Sequence, residues 1–454
     1  MKGLLLKNKA NINLLYLSAV VEAELGNLDD ALKALSRILA MDAKHASAHY
    51  TKAILLNQLN RYAEALPHHD AAAGLMHGNP WVFMNRGNAH AALGHFEQSL
   101  LDFDQAIRLD SRIDVAHQNK GNALLEMNAF SESLACFEMA LSLNPHNVQA
   151  ISNKAACLTQ LNRAAEGLEV ADRAIALRPD YAEAWNNRGL ALNQIGRLSE
   201  ALASFDRAIE LKPNYFQAWS NRGNALNKLN RHSEALACHE RAIEFNPDFA
   251  QAWSNRGNVL NTLKRSQDAL MSYDRALAIK PGCTEAWSNR AVALHNLKRH
   301  GEAAQSYLKV AECALVDDFH LGKAHHQMML ECDWTDYDQY VSRIESGLAQ
   351  GKHTAEPFGL MGISESEAHH KMCATLFCQK HYPSAAQSPS FPKSVKSKIR
   401  LGYLCGEFRD QATSHLMTGL FDTPRMTKYL EEAFMAMHER HQAGQTPDHM
   451  TIDP

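Results

Sequence analysis

From Leu15 onward, a bulky or ring-bearing residue recurs every 34 positions: Leu15, His49, Phe83, His117, Ile151, Trp185, Trp219, Trp253 and Trp287. Four residues after each of these anchors stands only Ala or Gly, as in Ala53, Gly87, Gly189 and Ala291, and sixteen residues after it only Ala, Ser or Gly, as in Ala31, Ser99, Gly167 and Ala303. Between these marks the apolar residues follow helical spacing. Pro145, Pro179, Pro213, Pro247 and Pro281 stand 28 residues after their anchors, where a helix must stop. The pattern predicts nine units of two helices each, with no insertion or deletion. Two small positions on two helices let the pair close around one bulky side chain. The expected class is all-α.

The pattern of Trp, Gly, Ala, Ala and Pro, as in AWSNRGNALNKLNRHSEALACHERAIEFNP, is identified as the tetratricopeptide repeat. The resemblance implies an α-solenoid, a right-handed superhelix in which each repeat contacts only its neighbours. The expected division is 1–8 as the tail of a preceding repeat, 9–315 as the superhelix and 316–397 as a helical cap and linker. Within that linker Phe319 to Leu348 reads as two more helices, with His325 at the small position, a degenerate pair that closes the stack.

Two polar columns run through the repeats. Two residues after the anchor, seven consecutive units carry Asn85, Asn119, Asn153, Asn187, Asn221, Asn255 and Asn289. This position lies about 200° round the first helix from the anchor, on the side that would line a concave groove. Asn offers a donor and an acceptor, so it can hold a backbone amide whatever side chain the ligand bears. Helices stack at roughly 8–10 Å and an extended chain advances about 3.3 Å per residue, so one rung would meet every second or third residue. The alternative is that each Asn bonds a neighbouring repeat. The second column is basic: Arg86, Lys120, Lys154, Arg188, Arg222, Arg256 and Arg290. Each follows by sixteen residues an acid: Asp70, Asp104, Glu138, Asp172, Asp206, Glu240 and Asp274. That register predicts pairing between repeats rather than a track for anions.

Composition narrows the function. The 454 residues carry 46 Lys and Arg against 50 Asp and Glu, a net charge of −4, which gives no basic excess for nucleic acid or anionic lipid. No run approaches the roughly 18–20 apolar residues of a membrane span. Nine cysteines without a C-x-x-C pair point to reduced thiols and a cytoplasmic setting. The 24 histidines include His68–His69, His325–His326 and His369–His370, but none has metal-site spacing. Neither a phosphate-binding loop nor a dinucleotide fingerprint is present, and no cofactor or metal is expected.

The C-terminal part resembles a known family. ECDWTDYDQYVSRIESGLAQGK, EPFGLMGISESEA and KIRLGYLCGEFRDQATSHLM follow the repeats in the order found in O-GlcNAc transferase and SPINDLY-like glycosyltransferases of bacterial type. In this reading 398–420 is the remnant of the first strand and helix of the catalytic region, a short α/β element. Residues 421–454 are the amphipathic C-terminal helix and tail that close such enzymes. The two ends of the catalytic region meet near Leu420 and Phe421, and the two nucleotide-binding lobes between them are missing. The family pattern H-P-x-x-H-L reads here as Gln411, Ala412, Thr413, Ser414, His415 and Leu416, with glutamine at the first histidine. Without that imidazole no proton is taken or given near neutral pH. The expected function is a scaffold that binds extended or disordered polypeptide, with no catalytic residue. A full-length glycosyltransferase relative is a second expected partner. The alternative is an enzyme that transfers N-acetylglucosamine from a UDP donor to Ser or Thr.

Overall fold

A computed structural model describes residues 11–313, 319–361, 363, 364 and 366–381 of the chain. It divides into two units, Met1–His381 and Tyr382–Pro454, and the second lies outside the described residues. The expected strand–helix remnant at 398–420 and the helix at 421–454 fall there, and the tail at 1–8 is likewise outside.

Every element among the described residues is a helix. The first four repeats are α1 (Ile12–Glu24) with α2 (Leu28–Met41), α3 (Ala46–Gln58) with α4 (Tyr62–Leu75), α5 (Pro80–Ala92) with α6 (Phe96–Leu109), and α7 (Asp114–Glu126) with α8 (Phe130–Leu143). Three more follow: α9 (Val148–Gln160) with α10 (Ala164–Leu177), α11 (Ala182–Ile195) with α12 (Leu198–Leu211), and α13 (Phe216–Lys228) with α14 (His232–Phe245). The last two regular pairs are α15 (Ala250–Thr262) with α16 (Ser266–Ile279), and α17 (Thr284–Asn296) with α18 (His300–Cys313). Nine pairs, as the spacing requires, form the solenoid.

The hinge within each pair is a single residue eleven positions after the anchor, in the left-handed region: Gly26, Asn60, Gly94, Asn128, Asn162, Gly196, Asn230, Lys264 and Lys298. The next N–H then reaches back to close the first helix, as Arg61 N does to Leu56 O (2.8 Å) and Arg231 N to Leu226 O (2.9 Å). The small positions seat rings. A Cβ added at Gly189 would come within 2.5 Å of Phe205, and one at Gly257 within 2.6 Å of Tyr273. The two helices of a repeat therefore touch through ring and backbone, and a glycine is needed there for the close approach.

Beyond the ninth pair the period persists for one more unit. α19 (His320–Leu330) is followed by Cys332, again left-handed, whose neighbour Asp333 donates to Met328 O (3.0 Å). α20 (Tyr337–Ala349) then packs differently, because buried His325 fills the small position and meets Tyr337 and Tyr340 at 5.1 and 6.3 Å. The chain returns across the start of α19, where Phe319 N donates to His353 O (2.6 Å) and Gly322 N to Thr354 O (2.8 Å). With α21 (Pro357–Met361) and α22 (Glu367–His381) it closes a small core of Leu321, Ile344, Leu348, Ala355, Leu360 and Cys373.

Candidate functional site

Each first helix touches the first helix of the next repeat, all along the nine pairs, whereas second helices pack mainly on first helices. The first helices thus form the tighter, inner side of the stack. The asparagine column runs along the seam where they meet.

None of the seven asparagines is exposed, and Asn187 and Asn255 are buried. Each spends an amide N–H on the preceding first helix, by one of two geometries. Asn85 donates to Tyr50 Oη (3.0 Å), Asn187 to Ser152 O (2.9 Å), Asn221 to Asn186 Oδ1 (2.9 Å) and Asn255 to Ser220 Oγ (3.4 Å), all 35 residues back. Asn119, Asn153 and Asn289 reach 31 residues back instead, to Oδ1 of Asn88, Asn122 and Asn258 (2.8, 2.8 and 2.9 Å). The spacing placed these side chains on one side of the helix; the stack adds that they also hold it together. Their acceptors are less committed. Asn255 Oδ1 takes a bond from Gln251 and Asn187 Oδ1 a long one from Asn186. Among the described residues the Oδ1 atoms of Asn85, Asn119, Asn153, Asn221 and Asn289 receive none.

Asn88, Asn122 and Asn258 form part of the same surface and were not singled out from the sequence. Their signal is a weaker recurrence three residues after the main column. With Asn193, Asn227 and Asn261 further along the first helices, they make the inner side rich in amides.

The basic column is fully paired, as the register requires. The distances are 2.9 Å for Arg86–Asp70, 2.6 Å for Lys120–Asp104, 2.9 Å for Lys154–Glu138 and 2.7 Å for Arg188–Asp172. The remaining three, Arg222–Asp206, Arg256–Glu240 and Arg290–Asp274, lie at 2.6, 3.1 and 2.7 Å. Most of the arginines use a second arm on the residue sixteen positions later: Nη1 of Arg188, Arg256 and Arg290 donates to Ser204, Ser272 and Ser306 Oγ (2.8, 2.7 and 2.7 Å), and that of Arg222 to Cys238 Sγ (3.0 Å). Arg86 reaches the buried Asp102 at the same offset, at 2.6 Å. One base thus clasps three helices. Burial raises the Asp102 carboxyl above its usual range, against the opposing pull of Arg86.

The anchors are polar at one edge. Indole Nε1 of Trp185, Trp219, Trp253 and Trp287 donates to the carbonyl of the proline six residues earlier (2.9, 2.9, 2.9 and 2.8 Å). His49 and His117 bring a ring nitrogen to the matching carbonyls of Ala43 and Ser111 (3.1 and 3.2 Å), which is why a histidine can stand where other repeats have tryptophan. The remaining histidines do not assemble: among the described residues no group of three or more metal-ligating side chains comes together. No helix among them is long and apolar enough to cross a membrane.

The fold is the tetratricopeptide α-solenoid, and comparison with known proteins agrees. Models described as tetratricopeptide repeat match residues 115–147, 182–215 and 216–249, residues 16–78 and 273–314, and residues 250–283. The chain is a tetratricopeptide-repeat protein. It is 32% identical over 87 residues to human sperm-associated antigen 1, a match over 19% of this chain and only 9% of that protein. Among solved structures it is similar to YrrB, described as a TPR protein with an unusual peptide-binding site. That match has 26% identity, a TM-score of 0.32 and coverage of 40% of this chain and 95% of the other.

Proposed function

We propose that the stack is a scaffold for protein interaction that binds extended polypeptide along its inner side, with Asn85, Asn119, Asn153, Asn187, Asn221, Asn255 and Asn289 as the rungs. The observation that carries this is the division of labour within each rung. In six of the seven one N–H holds the preceding repeat and the second is left for a ligand, Asn187 spending its amide on both Ser152 O and Oγ (2.9 and 3.0 Å); in five of the seven an Oδ1 without a protein donor is left as well. A donor and an acceptor at repeat spacing suit a peptide backbone, and they leave the ligand's side chains unread.

The test is the variant Asn187→Ala, Asn221→Ala, Asn255→Ala, with an unstructured peptide as probe. The loss of cross-repeat bonds at about 0.5–1.5 kcal/mol each should lower its melting temperature. Peptide affinity, measured well below that melt, should fall roughly tenfold or more, since about 1.4 kcal/mol suffices for a factor of ten. Affinity equal to the parent's in a folded triple variant refutes the proposal.

The finer reading is that the chain derives from an O-GlcNAc transferase-like protein and is catalytically inactive, so that it would act beside a full-length glycosyltransferase relative. Gln411 at the family's histidine position and the junction at Leu420–Phe421 support it. Titration with UDP-N-acetylglucosamine should give no saturable binding and no labelled acceptor. Either result in the affirmative favours the enzyme reading instead.

A further inference from the structure

The pairing of a carboxylate with a base sixteen residues later recurs seven times, and in the five arginine joints it extends to a third residue a further sixteen on. One repeat earlier the series is Ser36, Lys52 and His68, so the base is present and its carboxylate is not. Among the described residues Lys52 makes no ion pair, unlike all seven bases that follow it. All three of these side chains line one cavity of about 510 Å³ between α2, α3 and α4, floored by Leu32 and Leu56. Thus the cavity occupies the place that the acid fills in the later repeats.

The remaining lining groups are Asp29, Lys33, Arg61 and Glu64. Glu64 is held by both arms of Arg61 (2.8 and 2.8 Å), and Lys33 pairs with Asp30 (2.9 Å). His68 Nδ1 lies 2.9 Å from His49 Nδ1, and burial, reinforced by Lys52 and His49, keeps the His68 pKa at about 4, so it is neutral near pH 7. Burial and the neighbouring Arg61 also lower the Lys52 pKa from its ordinary value, which is what an ammonium without its counterion shows. The site is separate from the asparagine column, where this repeat has Thr51 bonded to Tyr16 (2.9 Å).

We propose that the cavity bounded by Ser36, Lys52 and His68 binds a carboxylate from outside the chain, which completes the clasp of the second repeat. The ligand chemistry is set by the acids in the other seven joints. A free small carboxylate or the acidic group of a bound peptide would both serve, and the probes below tell them apart.

The experiment is titration of the full chain, by calorimetry and thermal melting, at constant ionic strength set with sodium chloride. The probes are sodium acetate, a blocked tripeptide containing one glutamate, and the same tripeptide with glutamine. Expected is saturable binding of acetate, of the glutamate peptide, or of both, with none of the glutamine peptide. A response to acetate alone assigns a small-molecule ligand; a response to the glutamate peptide assigns an acidic polypeptide. Ser36→Asp supplies the missing acid, so it should raise the melting temperature and abolish binding. Lys52→Met should reduce affinity at least about tenfold, whereas the triple asparagine variant should bind as the parent does, which separates this site from the groove. Absence of saturable binding beyond chloride, or unchanged affinity in a folded Ser36→Asp or Lys52→Met variant, overturns the proposal.

Discussion

His239 on α14 sits where Phe103, Phe137, Phe205 and Tyr273 fill the ring position of their repeats. It packs on Gly223, where an added Cβ would come within 2.6 Å of its Cε1. The side chain is fully buried and, among the described residues, neither ring nitrogen has a partner. Burial holds its pKa at about 4, below the ordinary 6.5. The unfolded chain therefore binds this proton more readily than the folded one, and stability drains away as pH falls below 6.5, levelling off only near 4. Between about pH 7.5 and 5 the loss from this one residue is about 2 kcal/mol. Replacement His239→Phe removes two unpaired polar atoms and the titration together. At neutral pH it should stabilise the seventh repeat by about 1–3 kcal/mol, and at acid pH by more. Because a repeat array need not unfold as one body, the suitable assay is native-state hydrogen exchange of the amides in α13 and α14 across that pH range. Loss of local protection at neutral pH, or an undiminished acid sensitivity of these amides, would refute the reasoning.

Two further substitutions address parts of the fold that recur. Trp219→Phe keeps an aromatic ring but removes the bond to Pro213 O and part of the indole's packing surface, so it should cost at least about 1 kcal/mol in a denaturant titration; no change in midpoint would show that the indole N–H contributes nothing. Lys264 adopts φ of 59° at the hinge of the eighth repeat, where a Cβ is disfavoured by roughly 1–2 kcal/mol. Lys264→Gly should therefore raise the melting temperature, and a fall would mean that the lysine side chain does more at this turn than the backbone strain costs.

The fold was legible because its period is enforced by packing. Gly189 must receive the ring of Phe205 sixteen residues on, and Ala201 packs beside that same ring, so their spacing cannot drift without breaking the pair. The hinge was less visible, since Gly26, Asn60, Lys264 and Cys332 share a backbone angle and not a residue type. The charge column could be read as pairs from an offset of sixteen, but the second arm to Ser204 or Cys238 could not, because neither residue type announces a cation partner. For the asparagines the side of the helix followed from geometry within one helix. Their donation to residues 35 or 31 positions back depends on how far adjacent first helices slide past each other. That offset is a property of the assembled stack.

The clasp has a consequence for how this chain can change length. Arg188 joins Asp172 to Ser204, and Arg222 joins Asp206 to Cys238, with the same bonds at the same offsets. Excising residues 189–222 would bring Cys238 to the place of Ser204, and Arg188 would find there a partner that Arg222 already uses. A cut one residue longer or shorter would turn the next helix by about 100° and carry that partner away from the base. Chain length is therefore countable in this protein: whole repeats can be added or removed at the cost of nothing but reach, while any fractional change breaks a joint.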